Sequence, residues 1–124
     1  MAERILIVDD SVSMRQMLKM ILESAGYEVE QASDGDEALE KLSDDFDAMV
    51  TDYNMPKMNG AELIGAVRKG SVNRAIPVLI LTTESEKDKM EAAKQAGASG
   101  WLNKPFEQEA LISAVKKIAG RVEF

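Results

Sequence analysis

Hydrophobic positions fall into two kinds of stretch that alternate five times along the chain. The first kind is short and apolar: Ile5–Val8, then residues 27–32 (YEVEQA), 48–52 (AMVTD), 77–83 (PVLILTT) and 100–103 (GWLN). Short branched or aromatic runs bounded by turn residues read as strands. The second run alternates with polar residues, as a strand at a sheet edge does. The runs start 20–29 residues apart, enough for a strand, a helix and two short loops.

The second kind of stretch carries the helical period. In residues 12–25, Met14, Met17, Leu18, Ile21 and Leu22 recur at helical spacing, and Gly26 follows where a helix end favours glycine. Asp36–Leu42 predicts a short helix with Ala38, Leu39 and Leu42 inward. Ala61–Val67 predicts a third, with Leu63, Ile64 and Val67 inward, and Gly60 is expected to ease the turn into it. Ser85, with Asp88 three residues on, can cap a fourth helix with Met90, Ala93 and Ala96 inward. Glu107–Ala119 predicts a fifth, with Leu111, Ile112, Val115 and Ile118 on one face. Met14, Met17 and Met20 suit a soft binding stripe, but the same spacing fits the inward face of the first helix, and core packing is the expectation.

Five strands alternating with five helices predict an α/β fold, a parallel sheet covered on both faces. Right-handed crossovers make it a doubly wound sandwich. Both usual strand orders for such sheets place ligands at the carboxyl ends of the strands, near the switch point. The 124 residues fit one domain, expected to be 1–124 with no output domain.

Composition narrows the chemistry. Fifteen basic against 22 acidic residues give a net charge of −7, which suits neither nucleic acid nor an anionic membrane. Without Cys or His there is no disulfide, no thiolate or imidazole metal site and no Ser-His-Asp catalysis. No apolar run approaches the ~20 residues of a membrane span, and no export signal opens the chain. A cytoplasmic location is expected.

What remains is carboxylate chemistry. Asp9 and Asp10 follow the first strand and Asp52 closes the third. If those strands are neighbours, about 4.8 Å apart, three carboxylates meet in one pocket. Unpaired, they are costly, and a hard divalent cation such as Mg²⁺ offsets the cost. Thr82 closes the fourth strand and Lys104 follows the fifth, so a hydroxyl and an ammonium face the acids. Acids for Mg²⁺, one acid as nucleophile, and Lys and Thr for the oxygens are the parts of phosphoryl transfer to a carboxylate.

The segments VDDS (8–11), TDYNMPKMNG (51–60), LTTE (81–84) and GASGWLNKPF (97–106) together resemble a response-regulator receiver domain, most closely the stand-alone chemotaxis (CheY) type. The resemblance spans the chain. It implies a flavodoxin-like five-stranded sheet in the order 2-1-3-4-5, of which this family is a well-known example. It implies that Asp52 is the phosphoacceptor and that Asp10, Asp52 and the Asn54 carbonyl ligate Mg²⁺, with Asp9 acting through water. Lys104 and Thr82 would bind phosphoryl oxygens, and Thr82 and Trp101 would form the switch. Asn54, Thr83 and Glu84 would tune dephosphorylation, although Thr83 is bulkier than the usual residue and Trp101 replaces the commoner Tyr. The Lys104–Pro105 bond is often cis in the family.

The implied partners are a sensor histidine kinase (CheA-like), an effector such as the flagellar motor switch, and a phosphatase. The chain would be a monomer acting on itself rather than an enzyme. The surface from the fourth helix (86–94) to the fifth would be the output face. Three other readings are weighed: a phosphorelay carrier or phosphate sink, a Mg²⁺-dependent Asp-nucleophile phosphatase, and a flavin-binding module. The phosphatase usually spaces its acids as Asp-x-Asp after the first strand, and the flavin module needs a hydroxyl-rich phosphate loop there.

Overall fold

The computed structural model describes residues 2–83 and 87–119, the side chain of Lys87 apart. In chain order the elements are β1 (Arg4–Val8), α1 (Val12–Ser24), β2 (Glu28–Ala32), α2 (Gly35–Lys41), β3 (Ala48–Asp52), α3 (Gly60–Lys69), β4 (Val78–Thr82), α4 (Lys87–Ala96), β5 (Gly100–Asn103) and α5 (Gln108–Ala119). The sheet is parallel throughout, in the order β2-β1-β3-β4-β5. The doubly wound α/β expectation and its strand order hold.

Burial explains which strands read as continuous apolar runs. The interior strands β3 and β4 are buried at every position, while the edge strands β2 and β5 alternate. Successive side chains of a strand point to opposite faces, so the sheet divides two cores. Leu6, Val8, Met49, Val78 and Ile80 meet α2, α3 and α4 on one face. Ile5, Ile7, Val50, Leu79 and Leu81 meet α1 and α5 on the other.

Local chemistry sets the helix ends. Ser11, Asp34 and Asn59 cap α1, α2 and α3 by accepting backbone N–H bonds, and Asn59 with Glu62 completes a capping box. Gly26 and Gly97 adopt φ of 99° and 106° just past α1 and α4, a conformation that a Cβ disfavours. The expected capping role of Ser85 lies outside the described residues.

The methionine expectation is corrected. Leu18 and Leu22 of α1 are fully buried, but Met17 is 41% exposed and Met20 71%. At about 100° per residue, Met20 lies roughly 160° around the helix from both leucines. A spacing of three drifts backwards around the helix, so three methionines in series cannot share the buried face.

Candidate functional site

The register brings four strand ends to one edge. Val8 lies opposite Thr51, Asp52 opposite Leu81, and Thr82 opposite Asn103. Asp9, Asp52, Thr82 and Lys104 therefore emerge together. Backbone bonds carry the ladder past the strands: Asp9 N–H donates to Ala32 O at 3.1 Å, Tyr53 N–H to Leu81 O at 2.8 Å, and Lys104 N–H to Thr82 O at 2.7 Å. The site residues are thus held by sheet bonding rather than by loose loops.

Asp9 and Asp52 are buried, Asp10 is exposed, and one carboxylate oxygen from each lies within 4.8 Å of the others. Asp9 Oδ1 accepts the Ser11 N–H at 2.9 Å. Its Oδ2 is buried with no hydrogen-bond partner among the described residues, and Lys104 Nζ stands 3.7 Å away. The same ammonium is closer to Asp52 Oδ1, at 3.2 Å. Among the described residues, Lys104 is the one cation that ion-pairs with these three acids, which leaves their carboxylates short of positive charge. An all-oxygen, anionic set containing an orphaned buried carboxylate oxygen fits a hard divalent cation.

Burial raises the Asp52 pKa above its ordinary value, and the charges of Asp9 and Asp10 push the same way. Lys104 opposes them through its charge and its hydrogen bond, without reversing the direction. A divalent cation in the cluster would add to the Lys104 side of that balance.

The other sequence-predicted residues surround this centre. Thr82 is buried at the end of β4 and Thr83 is exposed beside it. Asn54 is exposed on the loop after β3. Trp101, 37% exposed on β5, lines a small hollow with Thr82, Tyr53 and Met90. The Lys104–Pro105 bond is cis. Glu84 lies outside the described residues.

Gly60 carries a correction. Its φ is not left-handed, and the turn strain falls instead on Lys57, at φ 71°, where Met58 N–H closes on Pro56 O at 2.7 Å. Gly60 is needed for close approach, since a Cβ there would come within 3.0 Å of Asp52 O and 3.1 Å of Tyr53 Cα. The Asp52–Tyr53 backbone and α3 can touch because that side chain is missing.

Two basic residues near the acids escaped sequence reasoning. Arg15 donates from Nη1 to the Asp9 carbonyl oxygen at 2.6 Å and from Nε to Gln31 Oε1 at 3.3 Å, so it pins the β1–α1 loop to the end of β2. A basic residue in the first turn of the helix that follows paired acids was the available signal. Lys89 reaches from α4 to Asn54 Oδ1 at 3.4 Å, a crossing that no local pattern reveals.

Comparison with known proteins agrees with this arrangement. The family model described as the response regulator receiver domain matches residues 5–116. The chain is 42% identical over 121 residues to the chemotaxis protein CheY of Pseudomonas aeruginosa PAO1, covering 96% of this chain and 98% of that one. It is 45% identical to the structure of the chemotaxis response regulator CheY4 of Vibrio cholerae, with a TM-score of 0.86 and coverage of 95% and 99%. It is also similar, at 27% identity, TM-score 0.85 and coverage of 98% and 100%, to the receiver domain of the sensor histidine kinase PA1611 of P. aeruginosa PAO1, whose structure has a magnesium ion coordinated in the active site cleft.

Proposed function

The chain belongs to the response-regulator receiver family, and on that premise we propose that Asp52 takes up a phosphoryl group from the phosphohistidine of a sensor histidine kinase. An Asp52 oxygen attacks phosphorus. The P–N bond breaks, its electron pair leaves with the donor imidazole, and an acyl phosphate forms on Asp52. Lys104, already 3.2 Å from Asp52 Oδ1, holds one phosphoryl oxygen, and the Thr82 hydroxyl holds another. That charged contact at the strand ends is the observation that carries the reading.

Asp9, Asp10, Asp52 and the Asn54 carbonyl are the groups that would hold Mg²⁺. When bound, the ion supplies positive charge that draws the carboxylate and the phosphoryl oxygens together. In the reverse phase water attacks phosphorus and the bond to Asp52 breaks. Its electron pair returns to the carboxylate and inorganic phosphate leaves. Asn54, Thr83 and Glu84 tune that step.

The phosphorylated chain signals rather than turning over an external substrate. Thr82 moves toward the phosphoryl group and Trp101 fills the space it leaves. The face formed by α4, β5 and α5 then changes its affinity for an effector. The resemblance to CheY proteins makes chemotaxis the setting, with a CheA-like kinase, a flagellar motor component and a phosphatase as partners, all met by a cytoplasmic monomer.

The test follows Trp101 fluorescence as beryllofluoride, a phosphoryl mimic, is added with Mg²⁺. A change in the wild type that is lost in Asp52→Asn supports the reading. No change in fluorescence, together with no phosphoryl adduct by intact mass, would sink it.

A further inference from the structure

Thr51 is fully buried inside β3, directly before Asp52. Valine has the same shape and suits that setting better, because a hydroxyl taken out of water must find a partner. Alternation along the strand puts the Thr51 side chain on the face of Met49, which packs with Ile80 and α3. The Asp52 carboxylate, one residue on, takes the opposite face.

The Thr51 hydroxyl donates to the carbonyl oxygen of Asp52 at 3.0 Å, and Met55 Sδ lies beyond at 3.9 Å. In a regular parallel strand the carbonyls point along the ladder while side chains stand off the faces. A bond between the two means that the Asp52 carbonyl is tilted off the sheet plane toward α3. Gly60, the first residue of α3, agrees with that tilt: a Cβ there would come within 3.0 Å of the same oxygen. At the other end of this peptide, Tyr53 N–H donates to Leu81 O at 2.8 Å. A peptide is planar, so gripping both ends fixes its rotation and with it the backbone of Asp52.

Resting on the reading of Asp52 given above, we propose that Thr51 is a positioning residue for the Asp52 carboxylate. Its hydroxyl acts from the opposite face of the sheet, through the Asp52 carbonyl. It holds the carboxylate 3.2 Å from Lys104 and within the cluster formed with Asp9 and Asp10. Without the hydroxyl the carbonyl is free to turn toward the sheet plane, and the carboxylate turns with it.

Two substitutions separate this role from packing. Thr51→Val keeps the shape and removes the hydroxyl, whereas Thr51→Ser keeps the hydroxyl and removes a buried methyl. Mg²⁺ binding is read by calorimetry, beryllofluoride binding in saturating Mg²⁺ by ¹⁹F NMR, and folding by urea titration. Thr51→Val is expected to weaken both ligands roughly fivefold, the factor that one neutral hydrogen bond is worth. Its urea midpoint should match wild type, since the desolvation cost avoided offsets the bond lost. Thr51→Ser is expected to unfold at lower urea, because it leaves a cavity, while binding both ligands within about twofold of wild type. Wild-type affinities in Thr51→Val would overturn the proposal. So would a serine variant that binds as weakly as the valine one, which would show that shape alone matters. A wild type that binds Mg²⁺ but no beryllofluoride would overturn the phosphoryl reading of Asp52 instead, and the Mg²⁺ affinities of the two variants would still decide the role of Thr51.

Discussion

Replacing Asp9 by Asn removes one of three acidic charges from the pocket while keeping the shape of the side chain. In the absence of a divalent cation, Asp9 is repelled by Asp10 and Asp52 and attracted by Lys104. At an effective dielectric of about 20, two like charges at the 4.8 Å upper limit of the cluster cost ~3.5 kcal/mol, and the attraction to Lys104 at 3.7 Å offsets ~4.5 kcal/mol. Two repulsions outweigh one attraction by ~2.5 kcal/mol, and the exposure of Asp10 reduces that to ~1–2 kcal/mol. The cost of burying Asp9, only 1% exposed, acts in the same direction. An Asn still accepts the Ser11 N–H through its Oδ1. Asp9→Asn is therefore expected to melt roughly 4–8 °C above wild type in chelator. Added Mg²⁺ should raise the wild-type Tm and move that of the variant much less, because ligand binding stabilises only the protein that binds. Thermal unfolding followed by circular dichroism, with and without Mg²⁺, reads both effects. If Asp9→Asn melts below wild type in chelator, the repulsion argument is wrong and Asp9 is held mainly by its contact with Lys104.

Gly60→Ala pushes a methyl group against the Asp52–Tyr53 backbone, and urea titration should show a loss of ~1–3 kcal/mol; full stability would mean that α3 can back away from β3. Arg15→Ala unpins the Asp9 carbonyl from the end of β2 and should cost ~1–3 kcal/mol of stability in urea titration, as loss of a hydrogen bond from a charged group does; unchanged stability would mean that the β1–α1 loop is held without it. Glu37 accepts both the backbone N–H and the hydroxyl of Ser33, and these bonds, with Lys41, lower its pKa from 4.5 to about 2. A depressed pKa gives stability that is fully present above about pH 4.5 and is lost as pH falls toward 2. Glu37→Gln should therefore lose less stability than wild type between about pH 5 and pH 3 in urea titrations, and equal losses would refute the assignment.

The elements were legible because the interior strands are buried on both faces and read as unbroken apolar runs, while the helices keep their period. The clustering of Asp9, Asp52, Thr82 and Lys104 was legible for a related reason. Parallel strands place their carboxyl ends at one edge, so a polar residue just after each run lands beside the others. Met17 and Met20 misled because spacing alone does not say how far a residue has drifted from the buried stripe. Gly60 was read as a turn residue because its contact with the Asp52 backbone exists only once α3 packs on the sheet. Arg15 and Lys89 were missed because long side chains act across loops that sequence distance does not measure.

The central claim is that Asp52, and no other residue, takes a phosphoryl group. Incubating the chain with a small phosphodonor such as acetyl phosphate in Mg²⁺, followed by intact-mass and peptide mass spectrometry after trapping the acyl phosphate by reduction, tests it directly. The account predicts a single adduct in the wild type, located at Asp52, lost on chelation and absent from Asp52→Asn. An unmodified wild type, or an adduct that persists in Asp52→Asn, would contradict it.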